Sequence, residues 1–513
     1  MFAKLYSLGV SSIDGLVVTV EVDVSGGLPQ FAIVGLPDSA VKEAVDRVRS
    51  SLKNLGFTYP ASRITVNLAP ADIRKTGPVY DLPVLLGLLC ASGQIAEIPK
   101  NCAFAGELSL DGGVRSVSGV LPMAIACRQA GITQLFVPKA NAEEAAVVKG
   151  LSVFPLGTAR DAVEHLSGLR PITPQPFQEL LLGASPGAVA DFLDVRGQLE
   201  ARRALEITAA GLHNVLMVGM PGAGKSMMAK RLPGILPPLT YEEAIESSKI
   251  YSVAGLLKKT GSAGGLVTTR PFRAPHHSVS PAGLSGGGTT PKPGEISLSH
   301  NGVLFLDELP EFTREALEIL RQPLEDGQVT VSRVAGSATY PSRFMLVAAM
   351  NPCPCGFNGH PTRPCRCSAH AIERYLQKVS GPLLDRIDLH VEVQPVEYEE
   401  LSAPAEGEAS AEILKRVLAA RRFQQQRFGT GPVVPNAALQ GERLRKDCAL
   451  TGKAAALLKS AFERLGLSAR GYDKVLKISR TIADLAGEEV IDVAHVSEAV
   501  QYRNLDRKYW YSR

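Results

Sequence analysis

The sequence predicts an α/β protein in which a phosphate-loop core carries an α-helical lid and follows a separate α/β domain. Three observations predict it. First, Gly219–Ser226 (GMPGAGKS) follows the apolar run Val215–Val218 and leads into a helical segment, Met227–Leu232. That spacing lets a loop with little side-chain bulk wrap its backbone N–H groups around phosphate oxygens. Second, Val303–Glu308 (VLFLDE) reads as a buried parallel strand that presents two carboxylates at its C-terminal end. Third, β-type and helical runs alternate over residues 1–170, whereas helical patterns dominate from Ala411 onward.

Composition sets the bounds. A chain of 513 residues has room for two to four domains, and 45% apolar with 21% charged residues is ordinary for a globular protein. The formal charge of +4 is too small to predict nucleic-acid binding by itself, so any basic surface must be local. Met1–Val10 lacks the apolar core of a signal peptide, and no apolar run approaches the ~18 residues of a membrane span. The expectation is a cytoplasmic protein without membrane contact. Its eight cysteines would then be thiols, with Cys90, Cys102, Cys127 and Cys448 scattered as core filling.

In chain order, strands are expected at Gly15–Val22, Ile64–Asn67 and Leu135–Val137, and helices at Ala40–Leu55, Leu82–Ala91 and Val120–Ala130. The segments Thr76–Leu89 (TGPVYDLPVLLGLL) and Gly106–Ile132 (GELSLDGGVRSVSGVLPMAIACRQAGI) resemble the protease domain of Lon. The resemblance sets Val84 at the position of that family's nucleophilic serine and Met123 at that of its lysine. Neither side chain can carry or transfer a proton. What is implied for residues 1–170 is therefore a Lon-like fold without peptidase activity.

Residues 171–190 are read as a linker, with Pro171, Pro174 and Pro176 denying regular structure. The ATPase core is placed at 191–395. Within it Gly219, Pro221, Gly222, Ala223 and Gly224 form the phosphate loop, Lys225 reaches the β- and γ-phosphates, and Ser226 with Asp307 holds Mg²⁺. Glu308 polarises the attacking water. Ser226 and Asp307 are 81 positions apart, more than a helix, a strand and another helix need, so something is inserted. The excess includes Pro271–Glu295, rich in Gly, Pro, Ser and Thr, with Arg270 just before it and Arg273, His276 and His277 inside. It reads either as a flexible surface loop or as one that projects to touch a polymer. Adjacent histidines seldom ligate one ion together, which weighs against a metal there. Gln328–Tyr340 alternates as a hairpin with Arg333 near its tip.

The strand FMLVAAMN ends in Asn351, which can orient the attacking water if that strand lies beside the acidic one. Directly after it, Cys353, Cys355, Cys365 and Cys367 form two close C-x-C pairs suited to a structural tetrahedral Zn²⁺, with His360 available as a replacement ligand. Arg386 closes VSGPLLDR, where it suits a finger to a neighbour's γ-phosphate or, alternatively, a pair with Asp385 or Asp388. Residues 396–513 read as an acidic connector and a helical lid. In the lid, Lys415, Arg416, Arg421, Arg422 and Arg427 make a basic run, and Arg470 at a helix start could reach back to the γ-phosphate. The tail Asp506–Arg513 mixes cations with Tyr509, Trp510 and Tyr511; it could stack on bases or dock on the lid.

Phosphate loop, acidic strand, Asn351, Arg386 and Arg470 follow the order of an AAA+ ATPase. DVRGQ, RPFRAPHHS, PGEISLSHNGVLFLDE, NPCPCG and GPLLDRIDL resemble the magnesium-chelatase-like branch of that class, and within it the YifB family. In such ring ATPases the stretch holding Asp194, Val195 and Gln198 faces the adenine. The resemblance implies a homohexamer that hydrolyses ATP and moves on single-stranded and branched DNA. Arg270, Arg273 and Arg333 would touch that DNA, and the motor would serve branch migration beside recombination proteins in natural transformation. A chelatase-type motor, an ATP-dependent protease and a nucleotide-binding scaffold are the competing classes.

Overall fold

The computed structural model of the chain describes residues 1–177, 190–257, 265–288, 291–333, 336–360, 362–395, 407–429, 433–503, 505 and 509–510. It divides into two compact units. One comprises Met1–Leu182, Thr240–Thr268 and Gly336–Tyr340; the other comprises Gly183–Leu239, Thr269–Ala335 and Pro341–Arg513.

The first unit is built on a mixed seven-stranded sheet. Its strands are β1 (Phe2–Ser11), β2 (Asp14–Ser25), β3 (Gln30–Val34), β4 (Arg63–Ala69), β5 (Cys102–Phe104), β8 (Gln134–Pro138) and β9 (Ser152–Leu156), in the order β3-β4-β2-β1-β5-β8-β9. A separate two-stranded pair, β6 (Glu107–Leu108) and β7 (Val114–Arg115), lies between β5 and β8 in sequence. In β4 the residues Ile64, Val66 and Leu68 are buried while Arg63, Thr65 and Asn67 are not, the period of two that turns one face to a core. The helix Asp81–Ala91 is apolar almost all round and packs on that face. Gly87 permits the close approach, since a Cβ there would lie 2.7 Å from Val22 and 2.9 Å from Leu5. Asp81, fully buried in this helix, is matched by the Arg47 guanidinium at 2.6 Å and the Leu108 N–H at 3.1 Å.

The helix Tyr241–Val253, which comes from within the stretch expected to be the ATPase core, belongs to this first unit. It starts on a capping box of Thr240 and Glu243 and buries the small residues Ala244, Ser247, Ser248 and Ser252 together with Ile250 and Tyr251. The buried Glu144 carboxylate fixes it there, accepting hydrogen bonds from the Ser252 hydroxyl, the Leu121 N–H at 3.0 Å and the Asn141 amide at 3.2 Å. Leu121, Val147 and Leu266 close a small apolar cluster around that network.

The second unit holds a five-stranded parallel sheet. Its strands are β10 (Val215–Gly219), β11 (Phe272–Arg273), β14 (Val303–Leu306), β17 (Met345–Met350) and β18 (Leu389–Val393), ordered β11-β14-β17-β10-β18. β10, β14 and β17 are buried at every residue, as central parallel strands covered on both faces must be. Helices Ser410–Phe428 and Ala469–Ala486 give Ile413, Val417, Val475, Ile478 and Ile482 to the same core as Val215, Phe305 and Val347.

The stretch Pro271–Glu295 differs from the expected loop. Its start is the edge strand β11, paired through Phe272 with Val303. A helix at Pro281–Ser285 follows, capped by Ser280, and then the pair β12 (Gly286–Gly287) and β13 (Lys292–Pro293). Glycine and proline here serve tight turns between short elements. β15 (Gln328–Arg333) and β16 (Gly336–Pro341) form the expected two-stranded hairpin; Val334 and Ala335 lie outside the described residues. Most of the linker and of the acidic connector, 178–189 and 396–406, also lies outside them. No described helix is long and apolar enough to cross a membrane.

Candidate active site and metal centre

Three neighbouring parallel strands, β14, β17 and β10, deliver the site from their C-terminal ends. Lys225 is 8% exposed, and its ammonium donates to the carbonyls of Gly219 (2.7 Å) and Met220 (2.9 Å) and to Asn351 Oδ1 (3.2 Å). All three acceptors are neutral. Burial draws the amine down to about 8, against the opposing pull of Asp307 and Glu308. A buried cation hydrogen-bonded to dipoles alone, behind a loop in which Gly222 and Gly224 have φ of 80° and 91°, is suited to an anion such as a nucleotide phosphate. The Ser226 hydroxyl donates to Asp307 Oδ2 at 2.5 Å, so the hydroxyl and carboxylate expected to hold Mg²⁺ stand together.

Asn351 stands where the sequence reading set it, at the tip of the strand between β14 and β10. Glu308 has φ of 52°, its N–H donates to Asp307 Oδ1 at 2.9 Å, and its carboxylate lies 3.1 Å from His277 Nδ1. His277 is a contact the sequence reading missed. The histidine pair drew attention there only as a metal ligand, and no described metal cluster contains it. Gln198, also at positive φ, donates to the Gln394 carbonyl at 2.5 Å and lies 3.5 Å from the carbonyl of Ala223 in the phosphate loop. Val195 is buried and Asp194 pairs with Arg231 at 2.8 Å.

Arg386 and Arg470 form a second group. The Arg386 guanidinium is bound by Glu325 and donates to the Arg321 carbonyl at 3.2 Å; Arg470 approaches the same Glu325 oxygen at 3.6 Å. Among the described residues neither arginine hydrogen-bonds to the phosphate loop, and neither Asp385 nor Asp388 is the partner of Arg386. The hydrogen bond from Arg386 holds the Glu325 carboxyl below its ordinary range.

The proposed polymer contacts divide. Arg270 is engaged with the carbonyls of Pro237 (2.5 Å) and Asn301 (2.7 Å), and Arg273 makes a two-toothed pair with Glu295 at 2.6 and 2.7 Å. Arg333 is exposed near the end of β15. The basic run in Ser410–Phe428 is also largely occupied within the unit: Arg416 by Glu206 and Glu408, Arg427 by Asp484 and Asn436 at 3.0 Å. In the tail, Tyr509 donates to Glu392 at 3.2 Å and the Trp510 ring stands 5.9 Å from that of His390, so these aromatics dock on β18.

The four clustered cysteines converge. Sγ–Sγ distances of 3.4 Å (Cys353–Cys355), 3.7 Å (Cys353–Cys365) and 3.6 Å (Cys355–Cys365) fall just short of the ~3.8 Å edge of a tetrahedral Zn–S₄ site, and Cys367 completes a group within 4.8 Å. These separations far exceed a disulfide bond of about 2.05 Å. Backbone N–H groups of Phe357 and Arg366 pull the Cys355 thiol down to about 6, favouring the thiolate a metal requires. His360 is turned to its own loop, accepting from Thr362 and Arg363 N–H groups at 3.1 Å, and stands outside the cluster.

An all-parallel sheet with Asp307, Glu308 and Asn351 at its strand tips and Lys225 and Ser226 opening the helix after the phosphate loop, joined to helices in one core, defines an AAA+ P-loop core; the other unit resembles Lon. Residues 191–401 match the family described as magnesium chelatase, subunit ChlI; 20–141 match the one described as subunit ChlI of Mg-chelatase, and 407–503 the one described as magnesium chelatase, subunit ChlI C-terminal. Competence protein ComM of Haemophilus influenzae is 46% identical over 98% of both chains. YifB of Salmonella typhimurium is 45% identical over 96% of this chain and 94% of its own. Lon protease of Clostridioides difficile is 27% identical over 139 residues, 26% of this chain and 18% of that protein. The chain belongs to the ComM/YifB family.

Proposed function

We propose that the protein is an ATP-driven DNA motor, a cytoplasmic homohexamer that promotes branch migration when incoming DNA is integrated during natural transformation. The observation that carries the reading is the meeting of Lys225, Ser226, Asp307 and Asn351, with Glu308 one residue on, at the tips of three adjacent strands. Similarity along nearly the whole chain to a protein named for competence gives the motor its setting.

Lys225 neutralises phosphate charge, Glu308 takes up a proton from the attacking water, and Asn351 orients that water. Mg²⁺ held by Ser226 and Asp307 would supply further charge neutralisation at the phosphates. Arg386 and Arg470 belong to a face presented to a neighbouring subunit. Arg333, exposed near the hairpin tip, would touch the DNA backbone in a sequence-tolerant way. Val84 and Met123 are buried, at 0% and 2% exposure, which supports a Lon-like unit used for assembly or DNA rather than proteolysis. The four cysteines would hold a structural Zn²⁺, four thiolates leaving no open position for chemistry.

The match to magnesium chelatase subunit ChlI favours a second reading, a motor that drives Mg²⁺ into a porphyrin. Unwinding of forked and four-way DNA by the wild type and by Lys225→Ala tests the first. Strand separation by the wild type alone supports it. No separation, with ATPase stimulated by porphyrin and not by DNA, transfers the case to the second.

A further inference from the structure

The cysteine cluster and the phosphate loop are physically one construction. Asn351 and Cys353 are separated by a single residue, so β17 ends in a side chain of the nucleotide site and runs at once into the cluster. The turn Cys353–Gly356, closed by a 3.0 Å hydrogen bond from Gly356 N–H to the Cys353 carbonyl, then folds back over the phosphate loop. Gly356 has φ of 81°, and a Cβ on it would lie 2.5 Å from both Cγ and Cδ of Pro221 and 3.9 Å from Asn351 Cγ. Its Cα therefore rests on the proline ring of the loop that must wrap the phosphates.

What keeps Gly356 there is not ordinary packing. From residue 351 to 368 the described chain has no helix or strand, and Pro352, Cys353 and Gly356 are its only buried positions. A segment this short and polar cannot bury enough apolar surface to fix its own shape, and a metal is the usual substitute. Cys353 opens the turn that carries Gly356 and Cys355 stands within it, and Cys365 and Cys367 return from the far end to meet them.

We infer that Zn²⁺ bound by Cys353, Cys355, Cys365 and Cys367 is the prop of the nucleotide site. It holds Gly356 against Pro221 and sets both the shape of the phosphate loop and the reach of Asn351. The inference rests on the reading of Gly219–Ser226 as the nucleotide site. Its consequence is that nucleotide affinity depends on a metal that never touches the nucleotide.

The test uses the full-length protein. Bound zinc is measured by plasma mass spectrometry, and binding of a fluorescent ATP analogue is titrated before and after stripping with an organomercurial and chelator, then again after thiol treatment and added Zn²⁺. About one zinc per chain is expected, with affinity falling roughly tenfold or more on stripping and recovering on reloading. Protein purified without zinc, or stripped protein that binds nucleotide unchanged, overturns the inference. Gly356→Ala guards against simple unfolding, because it keeps all four thiolates and pushes directly on Pro221. It should retain zinc and lose affinity, and unchanged affinity counts against the prop. Lys225→Ala separates the two readings: if it binds nucleotide as the wild type does, the site assignment has failed, not the coupling.

Discussion

Glu308 holds a left-handed backbone conformation, φ 52°, which an L-residue adopts at a cost of about 1–2 kcal/mol. Such strain persists where the surroundings over-determine it, and here the Asp307 carboxylate takes the Glu308 N–H while His277 takes the side chain. The residue is aimed. Glu308→Gln should keep nucleotide binding and lower kcat by about 10²–10⁴-fold, the span of a general base, as read by phosphate release beside analogue titration. Binding lost together with turnover would mean that Glu308 is structural. His277→Ala should lower kcat about tenfold with KM unchanged, because it removes only what orients that carboxylate. His277→Asn, which can still donate at that depth, should recover part of the loss. Equal losses in both variants would count against orientation.

At the scale of elements, one knot sets the register of the nucleotide sheet. Asn214, just before β10, donates through its N–H to Asp388 (3.0 Å) and through its amide to the Arg386 carbonyl (3.0 Å), and accepts from the Leu346 N–H of β17 (2.8 Å). Burial alone would raise the Asp388 carboxyl. His213, Lys474 and the Asn214 N–H outweigh it and hold the group well below the usual carboxylate range. A depressed folded pKa contributes stability that is complete above the unfolded value near 4 and is lost as pH falls through and below it. Asp388→Asn should therefore cost about 3 kcal/mol at neutral pH, as expected for breaking a buried charge cluster, and show a shallower fall in Tm on acidification. An unchanged acid limb would relieve Asp388 of that role.

This knot was not legible in the sequence, where Asp388 figured only as an alternative mate for Arg386. The phosphate loop, the acidic strand and Asn351 were legible because their chemistry demands fixed residue types at the tips of apolar runs. The helix Tyr241–Val253 was not, since motif order places it in the ATPase core while a buried side made mostly of alanine and serines, useful only against a particular partner, places it with the Lon-like unit. Likewise β11 contributes only two residues to the sheet, too few for any periodicity to register, so glycine and proline around it read as loop.

At the scale of the whole molecule the question is where Arg386 and Arg470 act. Within one chain both are gathered at Glu325, and neither touches the phosphate loop. In the proposed ring the site is completed by the neighbour, and each subunit offers a loop half and an arginine half. Lys225→Ala and Arg386→Ala should each lose ATPase when pure. Mixed and reassembled in equal amounts, they should regain activity, because roughly a quarter of the interfaces join an intact loop to an intact arginine. Two inactive pools that stay inactive after exchange, with assembly verified by light scattering, would confine Arg386 to its own subunit. Glu325→Gln sharpens the point by weakening the hold on both guanidinium groups. An assembled ring should then turn over ATP at least as fast as the wild type, whereas a fall in rate would make Glu325 part of the working interface rather than the resting place of its arginines.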